Sequence, residues 1–440
     1  PGLSEDSVVQ SHLVRERRED GPGEGDMFQN RRGDKMDDEL TPGEARRQGT
    51  ATCSTSSVPH IRTWDGSRVT FRGSCQYLLA RDGCDRGAAP NGAQQFKVII
   101  KAERKSPEKP TTEIKWVAVH LIGAGQRIKM NQKRGIQMNG HHIHPPLSMD
   151  EDGVYLGKTP NGVFVAVNHA DLQLEVRWTG RQVEVIVPWS KSMADDLCGL
   201  CGRFDGNPSN DMSMGNDKQC VKNIPGNTDK PGDVTSSGLA FGHSWTYKKD
   251  DDVCKEDCDN PSDNIECTEA ESTAARAECN PLKDLEGIFQ ECLSQLPSSV
   301  YESLFSNCVF DVCSTGDVTM VCSHAQELVM HCIAELGVTM SGWRSSGFCR
   351  RECPGGSYAS ACGNPCPRRP KKCDADDRDK CRNVDACEDG CFCRRGQYWS
   401  SETETCEEWC EEKTTTPTTT PTTTPTTTPT TTPTTTPTTT

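Results

Sequence analysis

No run of about 18 apolar residues occurs in this chain, so no segment is long enough to cross a bilayer as a helix, and direct membrane insertion is not expected. Aromatic residues are scarce, at 6 %, and hydrophobic residues of all kinds reach only 33 % of 440. With a mean hydropathy of −0.69, there is too little apolar side chain for one large core, which predicts several small units. The chain opens at Pro1 without a charged-then-apolar leader, which places any signal peptide upstream or already removed. Basic residues are too few and too scattered to form a stripe. The 49 Lys and Arg face 64 Asp and Glu, giving a net charge of −15 that repels phosphate backbones and argues against nucleic acid as a partner. No Asn-X-Ser/Thr sequon with a permitted middle residue occurs, since proline blocks Asn207-Pro208-Ser209; sugar on this chain is expected to be O-linked.

What is abundant is cysteine. Twenty-six of them, all between Cys53 and Cys410, would be a liability in a reducing cytosol and an asset outside the cell, so the chain reads as secreted and disulfide-stapled. Residues 1–50 hold 20 charged side chains and no apolar periodicity, the pattern of a disordered segment. Within it, Arg15-Glu16-Arg17-Arg18 reads first as a solvated charge cluster, with the spacing that secretory convertases cut as the alternative, and Arg32-Gly33-Asp34 is an integrin-type tripeptide of a kind that recurs by chance in charged linkers.

From residue 51 to 258 the pattern has period two. Leu172, Leu174, Val176 and Trp178 alternate with Gln173, Glu175 and Arg177, and Val183, Val185 and Val187 follow after Thr179-Gly180. Asn139-Gly140 and Asn161-Gly162 add tight-turn signals, and strands are further expected over 95–102 and 113–122. Many short strands without alternating helices predict an antiparallel β-sandwich. From 259 to 350 the period becomes helical. Leu282, Leu285, Ile288, Phe289, Cys292, Leu293 and Leu296 line one stripe after an Asn280 cap and Pro281, and further helices are expected over 299–310 and 324–336, with cysteines on their apolar stripes joining them. From 351 to 412 ten cysteines lie among Gly, Pro and charged residues, so bridges replace a core. The stretch 414–440 repeats Thr-Thr-Thr-Pro, with 21 threonines and six prolines, an extended, mucin-type stalk expected to carry dense O-glycosylation.

Trp64-Asp65-Gly66 with Gly73-Ser74-Cys75-Gln76-Tyr77, Cys198-Gly199-Leu200-Cys201-Gly202 and Phe241-Gly242-His243-Ser244-Trp245, in that order, resemble a von Willebrand factor type D domain. The eight cysteines from Cys267 to Cys349, with Trp343-Arg344, resemble the eight-cysteine domain that follows it in this family. The ten from Cys353, including Gly390-Cys391-Phe392-Cys393, resemble a trypsin-inhibitor-like module. Gel-forming mucins, zonadhesin-like proteins and Fc-binding mucus proteins share this assembly. The resemblance implies a structural or adhesive extracellular glycoprotein rather than an enzyme, with other extracellular glycoproteins, or itself through disulfides, as partners. Two alternatives go with it: a chordin-like regulator capturing a growth factor, and a protease inhibitor presenting the loop Cys373–Cys387 with Lys380 or Arg382 to a trypsin-like pocket.

The oxygen-rich loop from Asp205 to Asp211 can be an Asx-rich turn or a Ca²⁺ site. The resemblance favours structural Ca²⁺, held by the side chains of Asp65, Asp205, Asn210 and Asp211 and by the carbonyl of Asn207. Arg203 stands where the family has Asn, which removes one ligand and adds repulsion. The family pattern also implies Cys53–Cys201, Cys84–Cys198 and Cys75–Cys254 bridges, so that Cys198-Gly199-Leu200-Cys201 is structural rather than redox-active. That leaves Cys220 to pair with Cys258 or with another chain. Val58-Pro59-His60 matches a segment at which some relatives cleave themselves, but Ser57-Val58 replaces Gly-Asp, so no cleavage is expected. His141, His142 and His144 are expected in a solvated loop rather than at a metal.

Overall fold

A computed structural model describes residues 50–408, apart from 56–59, 85–93, 189–195, 225–231, 260–266, 364–387 and shorter internal stretches. The charged segment, the Val58-Pro59 dipeptide, the Cys373–Cys387 loop and the Thr/Pro repeat all lie outside the described residues.

Alternation of large apolar and polar side chains produces two antiparallel sheets. The first has eight strands in the order β10 (Leu147–Met149), β11 (Val154–Thr159), β12 (Gly162–His169), β13 (Leu172–Trp178), β14 (Val183–Pro188), β1 (Thr50–Thr55), β2 (His60–Arg62), β3 (Arg68–Thr70). The second has seven: β15 (Thr246–Lys248), β4 (Gln76–Arg81), β5 (Phe96–Ser106), β6 (Lys109–Leu121), β7 (Gln126–Asn131), β8 (Gly135–Met138), β9 (His141–Ile143). Leu172, Leu174, Val176 and Trp178 are buried as the alternation requires, and with Val183, Val185 and Val187 they share one core with Val98, Ile100, Val117 and Val119 of the second sheet. The expected strands at 95–102 and 113–122 run on into a longer hairpin, whose outer rungs pair Glu103 with Glu113 and Arg104 with Thr112. Backbone pairing carries these rungs beyond the apolar stretch, and Arg104 is anchored by Asp257. Asn139 (φ 50°) and Gly140 (φ 87°) form the turn from β8 to β9. His141 and His142 therefore lie on an edge strand and not in a loop, both exposed, as is His144 just past it.

Helices α1 (Gly238–Ser244) and α2 (Asp252–Asp259) close the β region. In α1 the Phe241-Gly242-His243 run packs on Phe71 and Tyr77. A Cβ on Gly242 would come within 2.2 Å of the Phe71 ring, so close packing of the helix on Phe71, just past β3, explains that glycine.

The helical region corrects the sequence reading. Its first helix is α3 (Glu269–Cys279), upstream of the expected one, started by a reciprocal capping box between Thr268 and Glu271. Asn280 is the C-cap of α3 and not an N-cap. The stripe from Leu282 to Leu296 is not one helix. Asn280–Leu282 is a 3₁₀ turn, Asp284 Oδ1 accepts the Glu286 N–H, Gly287 turns the chain, and only Gln290–Leu293 (α4) is helical. Leu282, Phe289, Cys292 and Leu293 still reach the core, while Leu285 and Ile288 are about half exposed, at 49 % and 48 %. The other two helices exist and are longer than expected: α5 (Ser298–Thr315) and α6 (Met320–Leu336), ended by Gly316 and Gly337 in left-handed conformation. Bridges staple the helices as anticipated: Cys279–Cys308 joins α3 to α5, Cys292–Cys332 joins α4 to α6, and Cys267–Cys313 and Cys322–Cys349 close the ends.

Beyond them, β16 (Tyr358–Gly363) pairs with β17 (Glu388–Phe392), and β18 (Gln397–Ser400) with β19 (Thr405–Glu408). Cys353–Cys391 and Cys393–Cys406 hold this part. The regions dock through buried polar contacts. Asp311 of α5 receives His60 of β2, Arg68 of β3 pairs with Glu327 of α6, and Arg72 stacks on Phe310 at 4.2 Å. Arg344 grips Asp389 at 2.6 Å, with Arg351 at 3.4 Å, and Asn161 Oδ1 accepts the Cys391 N–H at 2.7 Å.

Candidate functional site

The turn after β2 and the loop after the Cys-Gly-Leu-Cys motif meet at one end of the sandwich. One oxygen of Asp65, Oδ2, accepts three successive backbone N–H groups, from Asp205 (3.1 Å), Gly206 (2.9 Å) and Asn207 (3.0 Å). Asp205 in turn accepts the Asn207 N–H and the Asn210 side-chain amide at 2.9 and 2.7 Å. Asn207 caps the 3₁₀ turn Pro208–Asn210 through its side chain. Asp211 is fully buried and accepts the Thr63 hydroxyl at 2.6 Å. Asp65, Asp205, Asn210 and Asp211 are thus brought together, although they come from segments 140 or more residues apart. Thr63, which holds Asp211, carried no sequence signal.

The electrostatics of this cluster are unfavourable as they stand. Burial pushes the Asp211 carboxyl up to about 7 and, with Asp205 close by, that of Asp65 up to about 6. Two acceptors, Asn210 Oδ1 and Asp211 Oδ1, are buried without any hydrogen-bond donor. Buried, unmet oxygens beside three carboxylates form a donor set suited to a hard divalent cation, which takes oxygen ligands and offsets clustered negative charge. Arg203 is exposed, so its charge is directed to solvent rather than held within the buried part of the cluster.

The motif beside it is structural. Cys198 bonds Cys84 and Cys201 bonds Cys53, so neither cysteine has a redox partner within the motif. Its backbone runs along β4, exchanging hydrogen bonds between Cys198 and Arg81 and donating from Leu200 and Cys201 to Leu78 and Leu79. Gly202 lets Asp211 approach: a Cβ there would lie 2.5 Å from Asp211 Oδ1. Cys75–Cys254 and Cys220–Cys258 complete the domain, which settles Cys220 as a local partner of Cys258. Among the described residues no cysteine is free, and no helix is long and apolar enough to cross a membrane.

Comparison with known proteins agrees with this architecture. The model of the von Willebrand factor type D domain matches residues 53–218 and that of the C8 domain residues 278–350. The chain is 31 % identical to zonadhesin of Sus scrofa over 355 residues, which is 79 % of this chain and 13 % of that protein. It is 28 % identical to the IgGFc-binding protein of Homo sapiens, with 82 % of this chain and 7 % of that protein covered, and 27 % identical to human alpha-tectorin, with 79 % and 15 % covered. The chain therefore spans only a small part of the length of these relatives. The two matched domains in order, the interlocked bridges and the preserved motifs lead to one conclusion: the chain belongs to the family of proteins that carry a von Willebrand factor type D domain followed by a C8 domain.

Proposed function

We propose that this chain is a rigid structural segment of a secreted, mucin-like adhesive glycoprotein. In this reading the type D and C8 domains and a trypsin-inhibitor-like spacer form one covalently braced block, and the Thr/Pro repeat is its O-glycosylated stalk. The observation that carries the reading is the docking of the three regions through buried ion pairs instead of free linkers. A block of this kind transmits force and presents fixed surfaces to other extracellular glycoproteins. Limited proteolysis tests it. Trypsin should leave the Arg350-Arg351 junction intact in the native chain, because Arg351 is tied to Asp389 and Gln326. Asp389→Ala leaves Arg344 and Arg351 without their buried carboxylate, at a cost of about 3–5 kcal/mol, and should open the junction. Equal cutting rates in both forms would refute a rigid block.

Within this block Ca²⁺ would be held by Asp65, Asp205, Asn210 and Asp211, with the Asn207 carbonyl beside them. The ion would supply positive charge to a carboxylate cluster that otherwise resists ionisation. The chain's own part is to fix the loop: Asp65 pins three consecutive backbone amides, and Thr63 orients Asp211. A ligand bound only by the folded state adds about 2.7 kcal/mol when present at 100 times its Kd. Melting in calcium should therefore lie well above melting in chelator, and Asp205→Asn with Asp211→Asn should abolish the difference. An unchanged difference in that variant, or none in the native chain, would remove the calcium reading.

A further inference from the structure

Outside the oxygen-rich loop, one cluster of metal-ligating side chains lies where the type D sheet docks on the C8 helices. His60 on β2, Asp311 on α5 and His324 on α6 are 6 %, 0 % and 2 % exposed. Asp311 Oδ1 lies 2.7 Å from His60 Nε2 and its Oδ2 lies 2.8 Å from His324 Nε2. The two imidazoles meet at 63°, with centroids 5.6 Å apart, and all three ligand atoms fall within 4.8 Å of one another. We propose that His60, Asp311 and His324 form a site for a borderline divalent transition ion, Zn²⁺ in the first place, that bolts the type D sheet to the C8 helices.

The donor set decides the class of ion. Two imidazole nitrogens and one carboxylate suit Zn²⁺, and a hard ion such as Ca²⁺ prefers all-oxygen ligation. Zinc–ligand bonds of about 2.0–2.2 Å in tetrahedral geometry place ligand atoms roughly 3.3 Å apart, so each of the two nitrogen–oxygen contacts has to open by about half an ångström, and both imidazoles have to turn from separate Asp311 oxygens toward one centre. His60 is already braced for the role. Its Nδ1 lies 2.7 Å from the Thr70 hydroxyl, and donation from Nδ1–H to that oxygen leaves Nε2 free to ligate. His324 Nδ1 is buried without a partner, and a missing outer partner of this kind costs roughly 10–100-fold in affinity, so the site should bind less tightly than a fully braced one. His60 and His324 both line a cleft of about 790 Å³ bordered by Arg68, Asn307, Met320 and Glu327, and the fourth ligand is taken to be a water supplied from it. Because His60 comes from one domain and the other two ligands from the next, the ion binds only the docked arrangement and stabilises it.

The test is titration of the intact, disulfide-bonded chain with Zn²⁺ at neutral pH and saturating Ca²⁺, with Co²⁺ as a spectroscopic stand-in. One Zn²⁺ per chain, visible bands of tetrahedral Co²⁺, and a raised melting midpoint are expected. Asp311→Asn keeps the side-chain volume and should weaken uptake by more than roughly 100-fold, beyond the loss of an outer partner. His324→Ala should do the same. The triple variant His141→Ala, His142→Ala, His144→Ala should bind as the native chain does, and the saturating Ca²⁺ keeps this site separate from the calcium reading. No uptake by the native chain, or uptake that disappears only in the edge-strand histidine variant, would overturn the proposal; because the native titration stands alone, a folding defect in one variant cannot rescue it.

Discussion

Replacing Gly199 by Ala should destabilise the type D domain by about 3–5 kcal/mol and sharply reduce its secretion. Gly199 sits at φ +127°, where an L side chain is strained, and a Cβ there would lie 2.5 Å from the Leu79 carbonyl oxygen and 2.9 Å from its carbon. Those atoms are backbone of β4, a strand held between β15 and β5, so they cannot swing aside as a flexible side chain would. The motif cannot retreat either, since bridges to Cys84 and Cys53 hold its two ends. Gly180 provides the control: it has φ +89° and open space around its Cβ position, so Gly180→Ala carries only the conformational cost, on the order of 1 kcal/mol. Urea unfolding of the three forms checks this. A loss below about 1 kcal/mol for Gly199→Ala would show that the motif has room the structure does not display.

Removing the Cys75–Cys254 bridge with paired alanines should cost about 4 kcal/mol, somewhat less than its separation in sequence suggests. The cysteines are 179 residues apart, but the unfolded chain is already shortened by its neighbours. A path through Cys84–Cys198 and Cys220–Cys258 leaves an effective loop of about 35 residues, and loop-closure entropy grows only logarithmically with that length. The prediction is specific to the network. In a background that also lacks Cys220–Cys258, the same bridge closes a longer loop, so its removal should cost several tenths of a kcal/mol more. A double-mutant comparison by thermal melting measures the difference. Strict additivity of the two removals would mean that the bridges act through local packing and not through the shared unfolded chain.

How far the sequence could be read depended on how local the signal was. Leu172 to Trp178 alternate strictly, and a half-buried strand accepts no other register, so the sheet face was legible residue by residue. Leu282 to Leu296 carry an equally suggestive helical spacing, yet Pro281, Asp284 and Gly287 bend the chain, and the apolar side chains reach the core from turns. Periodicity reports which residues are buried and not which backbone path buries them. The capping box at Thr268 and Glu271 was the available sign that the helix lay upstream, and it lacked a strong apolar stripe to draw attention.

The candidate site divides the same way. Asp205, Asn207, Asn210 and Asp211 lie within seven residues, so their joint chemistry was visible at once, and Asp65 joined them through family resemblance. The depth of Asp211, its hold by Thr63 across 148 residues, and the two buried oxygens without donors are properties of packing. The His60–Asp311–His324 cluster spans 251 residues between His60 and Asp311, and nothing along the chain announces it. The sequence by itself determined the strand and cysteine framework and the oxygen-rich loop, because period-two alternation, cysteine number and short-range residue spacing are written in neighbouring residues. Only the tertiary structure decided which charges meet in the dark between domains, because the cost of burying a charge depends on everything that surrounds it and not on its place in the chain.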